Sequence, residues 1–85
     1  MDSKEKEILR HAALECLADR HPVALDANGV LRRVERECPG VTAEDVESAL
    51  VFLAGLKFVE AAEDRLGSTK YWRATSNGVL EVERK

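Results

Sequence analysis

Apolar residues in this chain recur every three to four positions through three stretches and alternate through two more, with polar punctuation between them. Asp2 followed by Glu5 supplies a cap for a first helix over residues 3–18. Its Leu9, Ala12, Ala13, Cys16 and Leu17 form a broad apolar side, with Ile8 at the margin. His11 and Leu14 point off that side: His11 reads as solvated, and Leu14 as an ordinary lone exposed leucine, with a dimer contact as the alternative. Arg20-His21-Pro22 ends the helix, because the residue before a proline is driven out of the helical region. Val23-Ala24-Leu25 is a short extended piece suited to a third strand. Asp26 then caps a second helix reaching residue 37, with Ala27, Val30, Leu31, Val34 and Cys38 as its buried stripe. Gly29 weakens the first turns of that helix and predicts fraying there. Cys38-Pro39-Gly40-Val41 is a turn, and Val41 stands where a hydrophobic staple would.

The third periodic stretch begins at Thr42, with Asp45 three residues on to complete a capping box. Val46, Ala49, Leu50 and Leu53 recur at helical spacing, and Gly55 is the expected left-handed stop. Residues 58–62 and Lys70–Ala74 then read as antiparallel strands joined by the polar loop 63–69. Alternation places Trp72 and Ala74 on the inner face of the second strand, with Tyr71 and Arg73 outside. Thr75 is a candidate cap for a last element in which Val79, Leu80 and Val82 return to the core. Residues 79–84 fit a short helix, while the alternation in Val-Leu-Glu-Val-Glu also fits a strand.

Length makes this one domain, 1–85, burying roughly 60–65% of its unfolded surface and folding without staples. No apolar run approaches the ~20 residues that span a bilayer, and the N-terminus lacks a signal-peptide core. A cytoplasmic protein is expected, with Cys16 and Cys38 as buried, reduced thiols. His11 and His21 are not spaced with the cysteines as zinc ligands, so no metal or cofactor is expected. No Gly-rich phosphate loop, HExxH pair, Ser/His or Cys/His arrangement occurs at an interpretable spacing. The chain reads as a non-enzyme, with no small-molecule substrate indicated.

Two phrases carry a resemblance. ALVFLAGLKFVE, 49–60, is similar to the "AL..L…GLV" end of a winged-helix third helix. YWRATSNG, 71–78, is similar to the "Y.L T..G" ending of the wing in many bacterial and phage regulators. With the order helix, short strand, helix, turn, helix, hairpin, short helix, nearly the whole chain resembles a winged helix-turn-helix domain, an α+β fold. The resemblance implies double-stranded DNA as partner, with the third helix in the major groove and the wing on the backbone.

The residues themselves divide that implication. Turned at 100° per residue, the third helix presents Glu44, Glu47, Ser48, Val51 and Gly55 outward, and no basic residue occurs from Val41 to Leu56. Base reading calls for Arg, Lys, Asn or Gln at such positions. Carboxylates there suit the helix dipole and repel phosphates. Positive charge lies instead at Arg32, Arg33 and Arg36 of the second helix and at Arg65, Lys70 and Arg73 on or beside the wing. Ser68 and Thr69 add hydroxyl donors at its tip. The plain reading of the second-helix arginines is a solvated, salt-bridged surface; the sharper one is contact with phosphates, led by the wing and strongly salt-dependent. A net charge of −3 and the neighbouring Glu60, Glu63 and Asp64 weigh against a polyanion. The alternative from another class is a protein-interaction module, in which Glu44, Glu47, Ser48 and Val51 meet a protein partner or mediate a homodimer.

Overall fold

The computed structural model describes residues 3–63 and 70–84. In chain order it contains α1 (Ser3–Asp19), β1 (Leu25–Asp26), α2 (Ala27–Val34), α3 (Ala43–Gly55), β2 (Val59–Glu63), β3 (Lys70–Ala74) and α4 (Ser76–Glu83). The strands form one antiparallel sheet in the order β1-β3-β2. Trp72 at its centre faces Leu25 on one side and Ala61 on the other. Helices and sheet share a core whose fully buried members include Leu9, Leu17, Val30, Val34, Val46, Leu50 and Val59. Trp72 and Ala74 close it from β3, on the face that alternation predicts.

Local chemistry explains the element ends. At the start of α3 the Asp45 N–H donates to Thr42 Oγ1 and the Thr42 N–H donates to Asp45 Oδ2, both at 3.1 Å, which is the expected capping box. The first turn of α2 does not stand open. The Gly29 N–H donates to Asp26 Oδ1 at 2.8 Å, so the cap holds the residue whose freedom predicted fraying. The same helix stops at Val34, three residues before the expected end. There the Glu37 N–H turns back to the Val34 carbonyl, tightening the chain ahead of Pro39. Gly40, at φ 83°, takes the left-handed corner of the turn that the Val41 N–H closes onto Cys38. The connection after α1 is tied to β3 by His21 Nδ1, 3.0 Å from the Ala74 carbonyl oxygen.

The Gly55 stop, the start of β2, the exposure of Leu14 and the burial of the two cysteines need correction. Gly55 is not the left-handed stop of α3: it lies within the helix, and Lys57 adopts φ 65° in its place. The Lys57 N–H donates to the Ala54 carbonyl and the Phe58 N–H to the Leu53 carbonyl, the two bonds of a Schellman ending with Lys57 at C′. The Phe58 amide is thereby used, and β2 begins one residue late. Leu14 is buried, not exposed, because α4 packs over it; it offers no dimer contact. Cys16 and Cys38 are free and only half-buried. Of the two forms the sequence leaves open for the last element, residues 76–83 take the short helix, with Val79 and Val82 against the core and Leu80 turned outward. Among the described residues, no helix is long and apolar enough to cross a membrane.

Lys57 gives a first prediction. A lysine in the left-handed region costs roughly 1–2 kcal/mol relative to its usual conformations. Lys57→Gly removes that cost and adds some unfolded-state entropy, for an expected net gain of about 0.5–1 kcal/mol. The urea midpoint should rise at unchanged slope; a lower midpoint would mean that the lysine side chain itself stabilises the turn.

Candidate nucleic-acid interface

The basic residues expected at the interface fall into two places. Arg32, Arg33 and Arg36 are all exposed on the outer side of α2 and the turn that follows it. With Arg20 from the end of α1 they line a groove of about 420 Å³ between the two helices. Cys16 and Val34 lie at its inner wall, and Glu15, Asp19 and Glu37 share its rim. Among the described residues none of these four arginines is within ion-pair distance of a carboxylate. Their positions follow from the helix period: Val30 and Val34 turn inward, which leaves 32, 33 and 36 for solvent. Burial pushes the Cys16 thiol up from its ordinary range, while the nearby Arg33 and Arg20 guanidinium groups pull the other way without overcoming it. Cys38 is likewise raised by burial, reinforced by the Glu37 and Glu5 carboxylates. Both thiols are thus poor nucleophiles.

On β3, Lys70 and Arg73 are exposed, but neither is uncommitted. Arg73 Nε donates to Glu60 Oε1 at 2.6 Å across the Glu60–Arg73 pair of the sheet. Lys70 Nζ stands 5.5 Å from the centre of the Trp72 ring. Arg73 opens onto a different concavity from the α2 arginines, one lined by His21, Pro22, Glu60 and the start of α4. Arg65, Ser68 and Thr69 lie outside the described residues. The third helix is as its sequence predicts: Glu44, Glu47, Ser48 and Val51 are exposed and line one shallow depression free of basic residues. Sequence reasoning missed Arg20. The sharp end of α1 at Pro22 was legible, but its return beside α2 was not.

No protein-family model matches the sequence, and no curated protein matches it. Solved structures do match. The chain is similar to Staphylococcus aureus MepR in its DNA complex, with a TM-score of 0.76 at 19% identity, over 95% of this chain and 64% of that one. It is similar to a PadR-like transcriptional regulator of Bacillus cereus, with a TM-score of 0.72 at 16% identity, over 98% of this chain and 82% of that one. A Lactococcus lactis ZitR variant superposes with a TM-score of 0.70 at 14% identity, over 89% of this chain and 47% of that one. The fold is a winged helix-turn-helix. In it α2, the Pro39-Gly40 turn and α3 form the helix-turn-helix, β2 and β3 the wing. The chain spans about half the length of ZitR, 47%, and 64% of MepR.

Proposed function

We propose that this chain is a DNA-binding winged-helix module of the transcription-regulator type, not an enzyme, that holds duplex DNA by its phosphate backbone. The observation that carries the reading is the set of four arginines around the α1–α2 groove, none of them spent on an ion pair among the described residues. Planar guanidinium groups along this groove are donors matched to phosphate oxygens. Lys70 and Arg73 add charge from the wing, with Arg73 available once its exposed pair with Glu60 exchanges for a phosphate; such surface pairs contribute only about 0–1 kcal/mol. Arg65, Ser68 and Thr69 extend the same contact in this reading. The acidic outer face of α3 stays off the bases, so recognition is of backbone and shape. The likeness to MepR, solved as a complex with DNA, supports the reading at the level of fold.

Fluorescence anisotropy of a labelled random duplex tests it. One phosphate contact for each of the four groove arginines implies that affinity falls about 150-fold between roughly 50 and 200 mM salt. Arg32, Arg33 and Arg36 changed together to alanine should reduce the log–log salt slope by about 2–3. Glu47→Lys should tighten binding. Absence of binding at the lower salt, or an unchanged slope in the triple variant, would remove the α2 arginines from the mechanism.

A further inference from the structure

Three of the six exposed large apolar side chains among the described residues, Val51, Phe52 and Leu56, sit within six positions at the end of α3. Phe52 and Leu56 wall a trough of about 230 Å³ whose floor includes Leu14, Leu53 and Phe58. Gly55, exposed, is the last residue of α3, next to Leu56 of the trough wall. Its backbone is helical, so no left-handed conformation requires glycine there. A Cβ built on it meets nothing within 4 Å, so no packing requires it either. Glycine inside a helix is unfavourable relative to alanine. A glycine without a conformational or packing reason, on an exposed face near exposed apolar side chains, leaves the helix backbone open to close approach from outside.

From this we infer that the outer face of α3, with the trough at its C-terminal end, docks a cationic amphipathic helix of a protein partner. Charge selects the occupant. Glu44 and Glu47 line the approach along α3, and Glu7 stands across the trough. Glu81 on the α4 side is shared with Arg84 at 3.7 Å. The one guanidinium on the trough, that of Arg10, stands over the Phe52 ring with Cζ 3.6 Å from its centre, and His11 lines the trough beside it. A helix carrying lysines or arginines beside an apolar stripe matches both components: its apolar residues enter the trough, and its cations meet the carboxylates. The surface uses none of the α2 arginines, so it stands or falls separately from DNA binding by the α1–α2 groove.

The test is anisotropy of two labelled synthetic helices of about 18 residues, one Lys/Leu amphipathic and one with every lysine replaced by glutamate. The Lys/Leu helix should bind the whole chain, and the Glu/Leu helix should bind at least about tenfold more weakly. Phe52→Ala with Leu56→Ala should weaken the Lys/Leu helix by about tenfold or more. Gly55→Gln blocks the close approach with a good helix former. It should weaken the peptide similarly while melting no lower than the parent, which separates lost docking from lost folding. DNA titrations of the same variants should be unchanged. Equal affinity for the two helices, or an unaltered affinity in Gly55→Gln, would overturn the proposal. So would self-association in sedimentation that the same substitutions abolish, because it would assign the face to a second copy.

Discussion

Replacing Gly78 by alanine is expected to destabilise this domain by about 3 kcal/mol, lowering the melting temperature by roughly 12–24 °C. A Cβ at this position overlaps the Phe58 carbonyl oxygen and comes within 3.0 Å of its carbon and 3.2 Å of Leu14 Cδ1. Phe58 presents backbone, which cannot swing aside as a side chain does. The same carbonyl accepts from the Thr75 N–H at 3.0 Å, and Thr75 Oγ1 both donates to the Lys57 carbonyl at 2.7 Å and accepts from the Gly78 N–H at 3.1 Å. Moving α4 outward to admit the methyl group therefore strains the cap of α4 and the ending of α3 together. Gly55→Ala is the internal control, because the added methyl finds open space on a helical backbone; it should gain about 0.5–1 kcal/mol. Differential scanning calorimetry of both variants decides the matter. A Gly78→Ala protein that melts with the parent would show that α4 does not seat on Phe58 as described.

Trp72→Ala is the second large effect, with an expected loss of about 3–5 kcal/mol. Trp72 lies on the central strand, is 3% exposed, and is flanked in register by Leu25 and Ala61. No neighbour on a three-stranded sheet is large enough to fill the space it leaves. A chain of this length has a total stability of roughly 4–13 kcal/mol, so the substitution removes a large fraction of it. Trp72→Phe should lose clearly less. Because either change removes the chain's one tryptophan, urea unfolding is best followed by far-ultraviolet circular dichroism. Equal losses for Ala and Phe would point to the indole N–H rather than ring volume.

What the sequence made legible is what short-range chemistry controls. The Thr42–Asp45 box, the Asp26 and Thr75 caps and the inward Trp72 each depend on residues within a few positions, or on strand alternation, and each was readable. The misreading of Leu14 depends on a partner far along the chain. Leu14 is covered by Gly78, more than sixty positions away, so its own helix gave no sign of burial. Val-Leu-Glu-Val-Glu satisfies both periods, and the choice of helix is made by the Thr75 cap and the contact with Phe58. Propensity favours glycine as the left-handed residue, whereas the hydrogen bonding of the turn places that conformation two residues later, at Lys57. At the candidate interface, exposure of the α2 arginines and of the acidic α3 face was legible. The pairing of Arg73 with Glu60 needed the strand register, and the separation of the α2 arginines from Arg73 needed the three-dimensional path of α1.

Asp26 ends β1 with its backbone, opposite Tyr71, and begins α2 with its side chain, on the Gly29 amide. One residue is thus the rivet between sheet and helix-turn-helix, with no linker in which motion of one is absorbed before reaching the other. A displacement of β3 would pass through the β1–β3 pairing to the first turn of α2. The base of the hairpin is therefore anchored at the start of the helix that carries Arg32 and Arg33.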